Sequence, residues 1–300
     1  MKLVRFSTNG QSPRLGVIMD DRIGDLNASV AAALAGRGVV RAQAIANALV
    51  PDSTRAFLEG GAATLDAVAS VKDWVTVPRA SARLHAPIAD PAKFICIGLN
   101  YRDHAEEANQ PIPKEPPIFP KWNNAILDPG EPILRPRGST QLDWEVEFGV
   151  VIGKRARFVT KAQALDHVFG YTIINDVSAR DFQFISSQWA AGKIFDTAAP
   201  VGPYIADRTE IPDPHVLELK LWVNGTPMQT GNTKTFIFDV RYIVSYLSNL
   251  MTLEPGDLIA TGTPPGVGFA RKPQVFLQPG DKCRLEITGL GTIENPVKDA

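Results

Sequence analysis

The segment that most constrains the fold is the ten-residue stretch 143–152, which reads Asp-Trp-Glu-Val-Glu-Phe-Gly-Val-Val-Ile. Because the side chains of a β-strand alternate between its two faces, Glu145 and Glu147 point one way and the apolar residues around them point the other. Alternation by itself favours an ordinary surface strand with its acidic side in water. The stretch continues, however, with apolar residues on both faces from Gly149 to Ile152. This continuation predicts that protein covers both sides of the strand.

Two carboxylates on a covered face repel each other and are costly to desolvate, so a cation or a proton must compensate them. A second apolar strand is predicted at Tyr171–Asp176, and it ends in another carboxylate where the strand gives way to a loop. Three carboxylate ligands with no cysteine nearby suit Mg²⁺, Mn²⁺ or Ca²⁺ better than zinc or copper. The pattern leaves open whether the two strands meet.

The rest of the chain predicts an α+β fold that is predominantly β. Glycine and proline, 24 of each in 300 residues, indicate many turns between short strands. Residues 1–77 differ from the rest of the chain in predicted secondary structure, because short strands are followed there by alanine-rich helical segments. We therefore expect a small N-terminal α+β accessory domain at 1–77 and a larger β-rich domain at 78–300.

Hydrophobic periodicity and turn residues place the individual elements. Strands are expected at Lys2–Phe6, Arg14–Met19, Arg22–Leu26, Phe94–Leu99, Trp144–Ile152, Tyr171–Asp176, Leu217–Val223, Leu258–Thr261 and Lys282–Ile287. Helices are expected at Ala28–Ala35, Ala42–Leu49, Ala62–Val71, Arg102–Asn109, Lys161–His167, Ala179–Trp189 and Val240–Leu250.

Charge and hydropathy argue against two classes of partner. The 31 basic and 32 acidic residues give a formal net charge of −1, so no overall field draws the protein to nucleic acid or to an anionic membrane. No apolar run approaches the roughly 20 residues that cross a bilayer, and the first residues lack the apolar stretch of a signal peptide. Cys96 and Cys283 do not form a disulfide framework or a zinc spacing. We therefore expect a cytoplasmic protein with neither nucleic-acid nor membrane partners.

Further motifs accompany the acidic strand. They are Gly98-Leu99-Asn100-Tyr101 with His104 and Glu107, Asn175-Asp176 through Asp181 with Gln183, Gly192-Lys193, Pro200-Val201-Gly202-Pro203, and Thr261 through Gly268. In this order, and with the stretch 143–151, they resemble the fumarylacetoacetate hydrolase family over about residues 94–297. The resemblance implies a mixed β-roll fold, usually a homodimer, with a divalent metal, Mg²⁺ or Mn²⁺, held by Glu145, Glu147 and Asp176.

The resemblance also implies a substrate class. Family members cleave, decarboxylate or isomerise small 2-oxo acids, usually 2,4-dioxo or oxo-dienoic carboxylates. A metal suits this chemistry, because a 2-oxo carboxylate can chelate Mg²⁺ and the ion stabilises the enolate that is left when the bond at C3 breaks. Hydrolysis also requires a water molecule to be deprotonated beside the remote carbonyl.

Five residues are expected to act on the substrate. His104 and Glu107 are three apart, so on a helical turn they share a face and can hydrogen-bond. Their sequence alone favours a polar first turn of a helix, whereas the resemblance assigns them to a lid that activates water and closes over the substrate. Lys193 is expected to contact the substrate or the metal's carboxylates. Arg180 and Gln183 are expected to donate to the developing oxyanion or to bind a distal carboxylate; the alternative for Arg180 is that it only pairs with Asp181 or another acid.

Four further residues are expected to bind substrate. Gly262 and Thr263 resemble a loop whose hydroxyl and backbone N–H groups hold the substrate carboxylate. Lys121 resembles another lysine of the family's site, and Tyr101 belongs to the motif that precedes the lid.

Two segments depart from the family pattern and are candidates for lining the pocket. One contains Trp122, which would stack on a ring or narrow the cavity. The other contains Lys234, which would recognise a second carboxylate or point to solvent. The sequence does not choose between these alternatives.

The leading hypothesis is a metal-dependent hydrolase that cleaves a C–C bond of a 2,4-dioxo acid or acylpyruvate. A 2-oxo acid decarboxylase or an oxo-dienoate isomerase at the same site is the runner-up, because neither reaction necessarily needs an activated water. A catalytically silent ligand-binding protein that keeps the fold is the alternative from another class.

Overall fold

The computed structural model describes residues 1–107 and 109–300, which form a mixed α and β fold with more strand than helix. The strands are β1 (Lys2–Ser7), β2 (Arg14–Met19), β3 (Arg22–Asp25), β4 (Thr76–Pro78), β5 (Arg83–His85), β6 (Phe94–Ile97), β7 (Ile118–Lys121), β8 (Ile126–Leu127), β9 (Ile133–Arg135), β10 (Leu142–Asp143), β11 (Val146–Ile152), β12 (Val168–Asn175), β13 (Ser178–Ala179), β14 (Ala199–Asp207), β15 (Glu218–Val223), β16 (Thr226–Asn232), β17 (Leu258–Ala260), β18 (Lys282–Ile287) and β19 (Gly291–Asp299). The helices are α1 (Leu26–Gly36), α2 (Ala42–Leu49), α3 (Thr54–Glu59), α4 (Gly61–Ala69), α5 (Arg102–Glu107), α6 (Arg180–Gln183) and α7 (Val240–Leu250). The predicted class, α+β with a predominance of strand, is confirmed.

Strand β11 lies inside the large sheet, whose order is β4-β3-β2-β1-β14-β12-β11-β17-β6-β7. It pairs antiparallel with β12 on one side and with β17 on the other. All of its residues are buried. The prediction that protein covers both faces is therefore confirmed, and the alternative of a surface strand is wrong.

Each face of β11 packs into its own apolar core. Phe148 and Val150 join a core shared with the second sheet, which has the order β16-β15-β18-β19-β9. Val151, which points the other way, joins a core shared with residues of α1, α3 and α4. Glu145 and Glu147 share the face of Val151.

Residues 1–77 extend the large sheet, because β1 pairs antiparallel with β14. Leu3 and Ile205 are register partners there and belong to the same core. A buried hydrogen-bonded chain runs beside this seam: the Ser7 hydroxyl lies 2.8 Å from His85 Nε2, and His85 Nδ1 lies 2.7 Å from an Asp128 oxygen. The division into domains 1–77 and 78–300 stays a prediction.

Several elements differ from their predicted bounds. Helix α5 is described over Arg102–Glu107, and residue 108 of the predicted helix Arg102–Asn109 lies outside the described residues. The predicted helix Ala179–Trp189 is reduced to α6, because Ala179 pairs in β13 with Leu142 and the chain then turns back at Trp189–Gly192. Helix α3, which was not predicted, begins where the Ser53 side chain accepts a hydrogen bond from Ala56 N–H.

The predicted helix Lys161–His167 contains a 3₁₀ helix at Ala164–His167 preceded by a turn. Among the described residues, no helix has the length and apolar composition needed to cross a membrane.

Candidate active site

Three carboxylates meet where β11 begins and β12 ends. Val146 and Asn175 are register partners, so Glu145 and Asp176 lie side by side, and the Asp176 N–H donates to the Glu145 carbonyl at 2.9 Å. Oxygen atoms of Glu145, Glu147 and Asp176 all lie within 4.8 Å of one another, and all three residues are buried. The two strands that the sequence could not connect therefore bring the predicted ligand set together.

Lys193 bridges two of these carboxylates. Its ammonium donates to Glu145 Oε2 and to Asp176 Oδ2, each at 2.8 Å, from a side chain that is almost fully buried. Although burial opposes a charge, Asp176 and Glu145 raise the pKa of Lys193 above its ordinary value. Lys193 is therefore a cation that the carboxylates hold in place.

Arg180 also contacts this cluster, and each of its donor groups has a different acceptor. Nη2 donates to Glu145 Oε1 at 2.6 Å, Nε to Asp143 Oδ2 at 2.9 Å, and Nη1 to Gln183 Oε1 at 2.9 Å. Burial alone would raise the pKa of Glu145, but Lys193 and Arg180 outweigh it and hold that pKa well below its usual range. Glu145 is thus a fully ionised carboxylate between two cations.

Asp143 is a site residue that was not singled out from the sequence. It is fully buried, and its oxygens accept hydrogen bonds from Arg180 and from the backbone N–H groups of Trp144, Gly268 and Phe269. Asp143 therefore orients Arg180 and ties the acidic strand to the loop around Gly268. Its only sequence signal is its place at the head of the acidic stretch.

Lys121 lies behind the carboxylates. Its ammonium donates to the carbonyls of Val177, Lys193 and Ala198, at 3.2, 2.6 and 2.8 Å. The same ammonium lies 2.8 Å from Asp176 Oδ1, but that oxygen receives no hydrogen bond from any described residue. Lys121 thus compensates charge on Asp176 while leaving Oδ1 without a proton donor.

The residues present fit a hard divalent cation. The donor set consists of three carboxylates, and Asp176 Oδ1 is a buried acceptor without a hydrogen-bond donor. Burial, followed by the charges of Asp176 and Glu145, raises the pKa of Glu147 well above its usual range. Negative charge in the cluster is therefore incompletely compensated, which favours a bound cation over three bare carboxylates.

The rim of the site carries the predicted pair on α5. His104 Nδ1 lies 3.4 Å from Glu107 Oε2, and His104 is buried. Glu107 also accepts a hydrogen bond from the Gly266 N–H at 3.0 Å. Burial would raise the pKa of Glu107, but the hydrogen bonds from His104 and Gly266 lower it overall. Glu107 therefore joins α5 to the loop 264–268.

The loop at Gly262 and Thr263 contacts the acidic strand. Gly262 has a φ of +95°, and its N–H donates to Glu147 Oε2 at 2.8 Å. The Thr263 hydroxyl donates to the Val146 carbonyl at 2.9 Å and accepts from Gln229 at 2.8 Å. This hydroxyl proton, expected to hold the substrate carboxylate, is therefore already engaged within the protein.

A cavity of about 300 Å³ opens above the carboxylates. The residues proposed for the site that line it are His104, Glu145, Glu147, Arg180, Gln183, Lys193 and Thr263. The other predicted site residues are not among the described residues that line it: Tyr101, Lys121 and Asp176 are buried behind its wall, and Glu107 and Gly262 lie beside it. Trp122 and Lys234 also lie outside it, in other surface grooves, and Lys234 is exposed to solvent, which is one of its two expected alternatives.

The cavity also has an aromatic lining that the sequence analysis missed. Phe119 and Trp189 form one edge-to-face pair, with ring centroids 5.7 Å apart. Phe184 and Phe269 form a second, tilted pair at 5.8 Å. No periodicity marks these four residues, because they come from three separate segments of the chain.

A family model, a curated relative and a solved structure all relate this chain to the fumarylacetoacetate hydrolases. A family model described as the C-terminal part of fumarylacetoacetate (FAA) hydrolase matches residues 93–298. The mitochondrial oxaloacetate tautomerase fahd2 of Xenopus laevis is 43% identical, over 99% of this chain and 90% of that protein. The fumarylacetoacetate hydrolase of Exiguobacterium antarcticum has a similar structure, with a TM-score of 0.83, 36% identity and full coverage of both chains.

A second solved structure bears on the metal. It is the maleylpyruvate hydrolase of Sphingobium sp. SYK-6 in complex with manganese (II) ion and pyruvate. It matches with a TM-score of 0.75 and 30% identity over the whole of both chains.

Proposed function

Since the chain belongs to the fumarylacetoacetate hydrolase family, we propose that it is a divalent-metal-dependent hydrolase that cleaves a C–C bond of a 2,4-dioxo acid such as an acylpyruvate. One observation carries this proposal. Glu145 and Glu147, two members of a buried cluster of three carboxylates, form the floor of a cavity whose rim holds a histidine paired with a glutamate. The related hydrolase that binds manganese and pyruvate supports the same chemistry.

Glu145, Glu147 and Asp176 would hold the cation. A divalent cation held by these three residues would supply Lewis-acid chemistry for a 2-oxo acid. Lys193 and Arg180 keep Glu145 ionised and fix its orientation. These contacts pre-organise the floor before substrate arrives.

The rim supplies the group that moves a proton. His104 Nδ1 faces Glu107, which leaves Nε2 to take a proton from a water molecule beside the remote carbonyl. Glu107 stabilises the imidazolium that forms, because its lowered pKa keeps it ionised. The Gln183 side chain accepts from Arg180 through its oxygen, so its amide hydrogens are free to donate into the cavity.

Metal binding is tested by titrating the protein with Mg²⁺ and Mn²⁺ in a calorimeter. We expect the parent to bind and Glu147→Gln and Asp176→Asn to lose about 100-fold or more in affinity, since each removes a ligand charge without a large change in shape. The exposed surface variant Glu294→Gln is the control and should bind as the parent does. Equal affinity in all four proteins would refute the proposed metal site.

The hydrolytic step is tested with His104→Ala and acetylpyruvate in the presence of Mg²⁺. We expect kcat to fall by about 100-fold or more, the usual loss when a general base is removed. Mg²⁺ affinity measured by calorimetry should stay that of the parent, because His104 is not one of the proposed metal ligands. Undiminished hydrolysis would refute the water-activating role of His104.

A tautomerase or decarboxylase is the second candidate, favoured by the 43% identity to an oxaloacetate tautomerase. These reactions need the carboxylate floor but no activated water. Oxaloacetate turnover that exceeds acylpyruvate cleavage, and that survives His104→Ala, would select this candidate over hydrolysis.

A further inference from the structure

The walls of the cavity differ from its floor, because they carry four aromatic side chains beside the apolar Ile97 and Leu99 and the polar Gln110. The Phe119–Trp189 pair and the Phe184–Phe269 pair line the same space above the carboxylates. Phe184 is 56% exposed although it lines the cavity, which places it at the mouth. A tail that extends from the floor toward solvent therefore passes apolar, flat side chains.

The cations in and behind the floor are already paired. Three of the five Arg180 N–H groups donate to Asp143, Glu145 and Gln183, so its charge is already paired with two carboxylates before a distal carboxylate arrives. Lys193 donates to Glu145 and Asp176. The described residues that line the cavity include no other lysine or arginine.

The charge balance points to a substrate with a single negative charge. The floor and its support contain four carboxylates and three cations: Asp143, Glu145, Glu147 and Asp176 against Lys121, Arg180 and Lys193. A divalent cation would turn the excess of one negative charge into an excess of one positive charge, which one substrate carboxylate neutralises. The His104–Glu107 pair adds no net positive charge in either protonation state of the imidazole. A second carboxylate would therefore find no unpaired cation among the described lining residues, only neutral donors such as Gln110 and Gln183.

We infer that this site selects 2-oxo acids with one carboxylate and a flat apolar tail, of the aroylpyruvate class, over those with a second carboxylate at the far end. The inference rests on the proposed function and goes further, because it names the chemistry of the tail. The aromatic walls stack on the tail, and Phe184 at the mouth is the residue that most directly opposes a distal charge.

The first experiment compares benzoylpyruvate with fumarylpyruvate, a dianion of similar length, on the Mg²⁺-supplemented protein. We expect kcat/KM for benzoylpyruvate to be higher by about tenfold or more, because only the dianion leaves a buried charge unpaired. Equal values, or a preference for fumarylpyruvate, overturn the inference while leaving the proposed hydrolase intact.

The second experiment introduces a cation at the mouth with Phe184→Arg. We expect the ratio of the two kcat/KM values to shift toward fumarylpyruvate by about tenfold. Phe158→Arg is the matched control, since Phe158 is 65% exposed and does not line the cavity. If the ratio of the two kcat/KM values shifts equally in both variants, or in neither, Phe184 does not set the preference against a distal charge.

A binding measurement keeps the inference testable without turnover. Mn²⁺-loaded protein is titrated in a calorimeter with phenylpyruvate, a monoanion with a ring, and with 2-oxoglutarate, a dianion. Tighter binding of phenylpyruvate supports the inference, and tighter binding of 2-oxoglutarate overturns it. If neither metal nor ligand binds, the proposed function itself fails and the inference fails with it.

Discussion

Arg180 illustrates how much of the site depends on single side chains whose partners are distant in sequence. Asp143 and Glu145 precede it by 37 and 35 residues, and only a planar guanidinium can meet both of them and Gln183 at once. Removing one member of such a buried set leaves an unpaired charge, which usually costs about 3–5 kcal/mol. The set therefore acts as a unit.

Tyr101 allows a sharp prediction, because its hydroxyl is buried and has no hydrogen-bond partner among the described residues. Tyr101→Phe removes this unsatisfied group, so we expect the free energy of unfolding to stay the same or to rise by about 1 kcal/mol. Tyr204→Phe is the control: it loses a hydrogen bond to the Gly289 carbonyl and should lower the free energy of unfolding by about 1 kcal/mol.

Denaturant titration of the two variants and the parent checks this expectation. A clear loss of stability in Tyr101→Phe would mean that its hydroxyl has a partner, such as a bound water. A rise in KM would support the assignment of Tyr101 to substrate binding that the sequence suggests.

The sequence predicts the orientation of single residues where a local period governs it. Alternation correctly separates Glu145 and Glu147 from Phe148 and Val150. It cannot predict that Lys121 donates to carbonyls 56, 72 and 77 residues away, because no local pattern encodes such partners. The arrangement behind the floor therefore requires the folded structure.

At the scale of elements, α5 is held to the loop 264–268 through Glu107. The lowered pKa of Glu107 means that the folded state favours its ionised form. This stabilising contribution is complete above the ordinary pKa of a glutamate and is lost as the pH falls through the lowered value. His104 and Arg271 are the charged groups that face it.

We therefore expect amide exchange in α5, corrected for intrinsic rates, to increase as the pH falls below the ordinary glutamate range. Glu107→Gln should show fast exchange in α5 at neutral pH and little further change on acidification. Glu106→Gln is the control, because Glu106 lies on the exposed side of the same helix. Exchange in α5 that does not depend on the pH in the parent would contradict this anchoring role.

A close approach between α6 and the turn at 189–192 sets the position of Lys193. A Cβ atom at Gly192 would lie 2.5 Å from the Ala179 carbonyl oxygen and 2.5 Å from Gln183 Cβ. We expect Gly192→Ala to lower the free energy of unfolding by about 1–3 kcal/mol and to weaken Mg²⁺ binding, because Lys193 is pushed away from Glu145.

Gly36→Ala is the matched control, since nothing lies within 4 Å of a Cβ atom there. It should leave the stability unchanged or raise it slightly. Calorimetric metal titration and denaturant unfolding of both variants check the pair. Equal metal affinity and equal unfolding free energy in the two variants would show that the close approach at Gly192 is not needed to position Lys193.

The lengths of elements are predicted well where periodicity is clear, as for α2, which has no side-chain cap, and for α7, which Asp239 caps. They are predicted poorly where tertiary contacts stop a helix. Helix α6 ends at Gln183 because the following chain must return to place Lys193 on the floor. Local propensity contains no information about that return.

At the scale of the whole molecule, residues 1–77 and the remainder share one sheet and both cores. The seam between β1 and β14 is reinforced by the chain from Ser7 through His85 to Asp128. We therefore expect β1 and β14 to lose their amide protection together as denaturant is added, even if residues 1–77 form a separate domain by sequence.

Hydrogen exchange across a denaturant series measures this coupling. His85→Phe should lower the concentration at which both strands lose protection, because Ser7 and Asp128 lose their shared partner. Protection of β14 that persists after β1 has opened would mean that the accessory domain unfolds independently.

The paired charges beneath the cavity limit how substitutions can change the substrate preference of such a protein. Loss of a cation, or of a carboxylate that pairs with one, leaves an uncompensated buried charge, so these residues can change only through coordinated replacements. Phe184, which is half exposed at the mouth, has no buried charge to compensate and can be replaced alone. New substrate preferences should therefore emerge one residue at a time around the entrance, while the reaction at the base is inherited unchanged.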